Sequence, residues 1–257
     1  MFLPKYLAHC GVCSRRKAVD IVKNGDVKVN EKTVRDVTYV VKPTDQVKYK
    51  NRVVRLEEFK YILLNKPKGY VTTLSDERGR KTVIELIDTK ILGRIYPVGR
   101  LDINTTGLLL LTNDGQLAQK LSHPKYEVLK KYNVVLDRLF LKKDFERLKK
   151  GIKLRDGFVK LDSVSYAKKD SQKNLVVQIH SGKNRIVRRI FEHLGYRIKK
   201  LDRVGFAGLT KKGLSIGQWK ILGKKDVERL NLLRRSSGQA SRRTVHPEQS
   251  RRTQRLC

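Results

Sequence analysis

The chain has 257 residues, 39% of them hydrophobic, enough for one substantial domain with a smaller one beside it. Its 59 lysines and arginines against 25 aspartates and glutamates leave a formal charge of +34, which calls for a polyanionic partner and leaves open a basic ribosome-associated protein without chemistry. No apolar run approaches the ~18 residues that span a bilayer, the first residues lack a basic leader, and three cysteines argue against a secreted disulfide framework, so the expected compartment is the cytoplasm, with no membrane contact.

The first unit runs over residues 1–56. A short helix is expected over Lys5–Cys10, Gly11 turns the chain, and Ser14 caps a second helix at Arg15–Asn24 that Gly25 stops. Val27–Val29 and Val34, with Asn30 and Glu31 between them, read as a small hairpin. The exposed side of the second helix and the following turn carry Arg15, Arg16, Lys17, Lys23, Asn24 and Lys28, with Ser14 at their head; such a charge run is either a solvated face or a surface for phosphates. His9, Cys10 and Cys13 form half of a zinc-like set, but no second Cys/His pair follows at usable spacing, so no metal is expected. The pattern K-Y-L-A-H-x-G-V-x-S-R-R-x-A followed by K-N-G-x-V-x-V-N-x-K-x-V resembles the S4-type RNA-binding domain over its full length, departing from it at Phe2 and Pro4. That likeness implies that the basic face binds RNA.

Residues 57–233 alternate strand and helix patterns. Strands are expected at Tyr61–Leu64, Leu108–Leu111, Tyr132–Leu136, Val164–Ala167, Leu175–His180 and Ile198–Phe206, and helices at Gly115–Leu121, Lys142–Lys150, Arg185–Leu194 and Lys224–Leu233. Several strands follow one another without helices, so the fold class is α+β with a mixed, mainly antiparallel sheet flanked by helices. From Arg234 the composition shifts to Arg, Ser, Gln and Thr, and residues 234–257 read as a disordered basic tail.

The most informative stretch is GRLDINTTGLLLLTNDG, residues 99–115. A Gly-rich turn presents one carboxylate, Asp102, ahead of a fully apolar run, so a buried strand holds its loop rigid. Functional carboxylates are commonly presented this way, although capping of the Asn104–Gly107 turn is the ordinary alternative. The stretch closely resembles the aspartate motif of RNA pseudouridine synthases, in particular their RsuA-like ribosomal RNA branch. Lys130–Lys131–Tyr132 with Val134 and Leu136 resembles the tyrosine strand of the branch, and Ser181–Gly182–Lys183–Asn184–Arg185–Ile186–Val187–Arg188–Arg189–Ile190–Phe191 its basic helix, with departures at Ser181 and Ile186. Leu201–x–Arg203–Val204 and Leu214–x–x–Gly217–Gln218–Trp219 follow in the same order.

The resemblance implies an isomerase that needs no cofactor. Asp102 would be its essential carboxylate, either a nucleophile at the ribose or a base leading to a glycal, with Arg188 as its ion-pair partner. Tyr132 would lie against the uracil and take the proton from its ring carbon. The target uridine must leave its stack to reach the pocket. Arg100 would fill the gap or steer the flipped nucleotide, Lys183, Arg185 and Arg189 would face phosphates, and Leu201 would pack on the base. Two rivals belong to other classes. A noncatalytic ribosome-assembly factor of the same fold is opposed by the joint presence of Asp102, Tyr132 and Arg188. A methyltransferase would need a Gly-rich cofactor loop after a first strand, and a triphosphatase is excluded because Leu214 follows the Gly208–Gly213 spacing where a lysine is required. The partner expected is ribosomal RNA or a pre-ribosomal particle. The form of the basic helix favours the large subunit (23S), and the protein is expected to act as a monomer.

Overall fold

The computed structural model describes residues 1–88, 93–167 and 172–236. Two helices open the chain, α1 at Leu3–His9 and α2 at Arg15–Asn24. The first starts two residues earlier than expected, because Pro4 falls in its first turn, where a missing N–H costs nothing. Ser14 accepts a hydrogen bond from Lys17 N at 3.1 Å, and Gly25 ends α2 in the left-handed conformation (φ 81°). Four short strands follow, β1 (Val27–Val29), β2 (Lys32–Thr33), β3 (Val47–Tyr49) and β4 (Arg52–Val53), in the order β2-β1-β3-β4. The first hairpin closes before Val34, and the pair β3 and β4 escaped the sequence reading. Its turn uses Lys50 and Asn51, both at positive φ, a pairing without the Asn-Gly signature of tight hairpins. Leu3, Leu7, Ala18, Ile21, Val22, Val27 and Val47 form a core of their own.

A nine-stranded sheet dominates the rest, its main path running β11 (Ser163–Tyr166), β12 (Asn174–Ile179), β8 (Lys130–Leu136), β13 (Ile198–Phe206), β7 (Thr106–Thr112), β5 (Tyr61–Lys66), β15 (Trp219–Ile221). Off this path, β6 (Tyr96–Pro97) pairs β7 and β14 (Leu209–Thr210) pairs β13. The sheet is mixed: β13 runs parallel to β7 and antiparallel to β8. A separate hairpin, β9 (Ile152–Leu154) and β10 (Gly157–Val159), stands outside it. The leucine run of β7 explains its central place, since side chains alternate between faces. Leu109 and Leu111 enter the larger core, Leu108 and Leu110 the smaller, and all four are fully buried.

Helices cover both faces. The larger core takes in α4 (Lys142–Lys150) and α5 (Ile186–His193) through Leu148, Ile190 and Phe191; the smaller takes in α3 (Gly115–Ser122) and α6 (Lys224–Ser236) through Leu117, Leu121 and Leu230. Asp114 caps α3, accepting from Gln116 N and Leu117 N at 3.0 Å each. The helix expected to end at Leu233 continues to Ser236, three residues into the stretch read as tail; the remainder of that stretch, 237–257, lies outside the described residues. No helix among the described residues is long and apolar enough to cross a membrane.

Candidate active site

Asp102 sits on the loop entering β7, and that loop is tied down from below. Lys66, the last residue of β5, is fully buried. Its ammonium donates to the carbonyls of Thr105 (2.9 Å), Pro67 (3.1 Å), Asp102 (3.2 Å) and Ile103 (3.4 Å). Thr72 Oγ1 donates to Leu101 O at 2.8 Å, Gly69 N to Ile103 O at 2.9 Å, and Thr105 N to Asp102 O at 3.0 Å. Burial pushes the Lys66 ammonium down to about 8, with Asp102 pulling the other way.

Gly107 sets the height of this loop over the sheet. Its φ is +106°, and a Cβ there would collide with the Arg203 backbone, so only glycine lets β13 pass directly beside β7. Arg203 and Gly107 are paired in that parallel ladder.

Two cations face the Asp102 carboxylate. Arg188 Nε and Arg185 Nη1 each lie 3.6 Å from Oδ2, ion-pair contact just beyond hydrogen-bond length. Arg188 also donates from Nη2 to Asn104 O and Thr105 Oγ1, both at 3.4 Å, while its buried Nε has no hydrogen-bond partner. Desolvation, then the neighbouring Arg185, draws Arg188 below the ordinary guanidinium range, and Asp102 opposes them. Catalytic hydrogen bonds that stand slightly long without substrate commonly tighten in the complex.

One cleft gathers most of the sequence candidates. About 740 Å³ of empty space, partly open to solvent, is lined by Arg100, Asp102, Tyr132, Lys183, Arg185, Arg188 and Leu201, with Lys130 and Arg203 among their neighbours. Tyr132 and Leu201 are buried in its floor, and Arg100 is exposed at its edge. Arg189 does not line the cleft. It is ion-paired to Asp156 in the β9–β10 turn, as is Lys183 at 3.7 Å, so two of the expected phosphate ligands are engaged within the protein. In the first unit Arg15, Arg16, Lys17, Lys23 and Asn24 are exposed, Lys28 is half-buried with Nζ 3.2 Å from Asn51 Oδ1, and Ser14 is used as the helix cap. Among the described residues no group of three or more His, Cys, Asp or Glu could hold a metal ion.

Three residues escaped the sequence reading as site residues: Lys130 and Arg203, which line the cleft, and Lys66, buried beneath the Asp102 loop. Lys66 could have been found from a lysine ending an apolar strand and followed by proline, a place where a buried ammonium must satisfy loop carbonyls. Lys130 donates to His180 O at 2.6 Å, and burial, then Arg203, pushes it down to about 8. Arg203 appeared in the motif order but not as a buried cation, since burial depends on the neighbouring strands.

The two units meet at a small joint. The His9 and Phe59 rings stack at 4.6 Å, Glu57 N donates to His9 O at 3.3 Å, and Arg94 donates to the carbonyl of Cys13.

The comparisons with known proteins agree with this anatomy. The profile of an RNA pseudouridylate synthase family matches residues 60–193, and that of the S4 domain matches residues 3–47. Ribosomal large subunit pseudouridine synthase B of Bacillus subtilis is 42% identical, covering 90% of this chain and 96% of the relative. An RNA pseudouridine synthase of Aquifex aeolicus is 38% identical, covering 88% of this chain and 92% of the relative. The crystal structure of a pseudouridylate synthase superposes with a TM-score of 0.62 at 26% identity, covering 90% of this chain and 99% of the other. A mixed sheet preceded by an S4 domain thus has a known setting, and the chain belongs to the RNA pseudouridylate synthase family.

Proposed function

We propose that this protein converts a uridine of large-subunit (23S) ribosomal RNA into pseudouridine, with Asp102 as the essential carboxylate. The observation that carries the reading is the Asp102 loop itself: held by Lys66 from below, faced by Arg188 and Arg185, and opening into the cleft floored by Tyr132 and Leu201. The large-subunit assignment is supported by the names of two relatives, those of Bacillus subtilis and of Buchnera aphidicola, the latter 34% identical over 88% of this chain.

In this reading the target nucleotide is flipped out of its stack, at the expense of unstacking. Arg100 at the cleft edge fills or guards the gap, and Leu201 packs on the base. Asp102 either attacks the ribose C1′ or removes a ribose proton, and the bond from C1′ to uracil N1 breaks. The base turns and C5 bonds to C1′ as the Asp102–C1′ bond breaks or, on the other route, as Asp102 gives the ribose proton back; the C5 proton then passes to Tyr132, and N1 takes up a proton. Atoms and electrons balance without oxidant, metal or energy input. Residues 1–56 supply RNA affinity through the basic face of α2, and residues 57–233 carry the chemistry. The protein acts in the cytoplasm as a monomer, on ribosomal RNA or a pre-ribosomal particle.

The test is tritium release from ribosomal RNA carrying 5-tritiated uridine, with 23S and 16S RNA assayed separately and as particles. Release from 23S RNA or its particle alone is expected. Release only from 16S RNA would overturn the subunit assignment, and none from any substrate would favour the noncatalytic assembly factor.

A further inference from the structure

Arg203 is the least conventional cation in the molecule. It is 3% exposed, it makes no ion pair among the described residues, and one of its terminal nitrogens, Nη2, is buried without a hydrogen-bond partner. Its Nε donates to Leu108 O at 2.7 Å, and its guanidinium lies over the Phe206 ring at 4.6 Å. A buried guanidinium with no carboxylate is costly, and an aliphatic side chain of similar volume would pack there more readily. The one ionisable group that offsets its burial is the Tyr132 hydroxyl.

The register makes this contact deliberate. Arg203 and Tyr132 are direct cross-strand partners in β13 and β8, so their side chains leave the sheet on the same face. The ladder is irregular immediately after Arg203. Both residues line the cleft that holds Asp102.

We propose that Arg203 is a positioning residue for proton removal: as the cross-strand neighbour of Tyr132 on the cleft side, it holds the phenol turned to receive the proton from uracil C5. The inference rests on the role given to Tyr132 above. Arg203 acts through Tyr132 rather than on the uracil itself. In the step it serves, the C5–H bond breaks, its electron pair returns to the ring, and the proton joins the Tyr132 oxygen as the phenol passes its own proton to solvent. A side chain that holds the proton acceptor in line with C5 lowers the barrier of that step without itself exchanging a proton.

The experiment compares wild type, Arg203→Met, Arg203→Lys and Tyr132→Phe on ribosomal RNA made with 5-protio or 5-deuterio uridine, reading kcat, KM and the deuterium isotope effect. Arg203→Met is expected to lower kcat about 10- to 100-fold with little change in KM, and to enlarge the isotope effect, since only the C5 proton step is slowed. Arg203→Lys, which keeps the charge, is expected to recover part of kcat and to reduce the isotope effect again. A merely structural residue would lower the active fraction while leaving the isotope effect unchanged, and that result in Arg203→Met would overturn the proposal. If Tyr132→Phe is inactive while Arg203→Met turns over normally, Arg203 is packing alone and the Tyr132 reading stands. A fully active Tyr132→Phe would overturn the Tyr132 reading, and this inference with it. Should Arg203→Met not fold, Arg203→Gln, polar but uncharged, replaces it in the same comparison.

Discussion

Lys66 is where a single side chain does most to shape the site. Removing its ammonium leaves several loop carbonyls without their donor, each unmade bond costing about 1–3 kcal/mol where water cannot reach. Lys66→Met is therefore expected to lower kcat and to loosen the Asp102 loop. The pH dependence follows from its position. Below about 8 the folded and unfolded chains both hold the proton, and the cost of burying the charge is fully present. Between about 8 and the ordinary lysine value of 10.5, the folded protein sheds the proton while the unfolded chain keeps it, so the contribution of Lys66 to stability rises with pH. Thermal melts of wild type and Lys66→Met from pH 7 to 10 should show the wild type gaining on the variant above pH 8. A narrowing gap would mean that the carbonyls favour the ammonium more than burial opposes it. At Gly107, alanine would meet the Arg203 backbone. Gly107→Ala should fold poorly or lose activity by prising β13 from β7, and a variant with wild-type melting and kcat would contradict this. The aspartate, tyrosine and basic-helix residues were legible as motifs, because short runs of sequence carry them. Lys66, Lys130 and Arg203 acquire their roles from neighbours far along the chain, and no run of sequence records that.

At the scale of elements, long periodic segments were readable and short paired ones were not. The leucine strand β7 and the helices α2, α4 and α6 follow from apolar spacing and caps. Strands of two or three residues such as β4, β6 and β14 are defined by the partner they meet, and β9–β10 hides in a basic stretch between α4 and β11. That hairpin has a consequence of its own. Asp156 at its turn holds Lys183 and Arg189, so RNA phosphates reaching these cations must compete with a carboxylate. Asp156→Asn should tighten RNA binding and steepen its salt dependence by up to about 0.7–0.9 for each further phosphate neutralised, a change readable in titrations at several salt concentrations. Unchanged binding would show that these cations do not meet RNA. Deleting residues 1–56 is expected to do the reverse, weakening binding and flattening the salt slope. The remainder should stay folded, because the four-stranded sheet has its own core and the joint at Phe59 and Arg94 is small. An unaltered salt slope would remove the S4 domain from the binding account.

On the scale of the whole molecule, a charge of +34 makes affinity for RNA easy and selectivity difficult, since phosphate contacts carry no sequence information. Chemistry must then depend on what the cleft does once a nucleotide enters it, and there the account turns on one carboxylate. Asp102→Asn preserves size and hydrogen-bonding reach but removes the anionic oxygen that attack at C1′ and proton abstraction both require. The decisive measurement is tritium release from 5-tritiated ribosomal RNA by wild type and Asp102→Asn, with RNA binding followed in parallel at one salt concentration. Release is expected to fall to background in the variant while binding stays equal or tightens slightly, one negative charge having left a basic surface. Substantial release by Asp102→Asn would contradict the central claim.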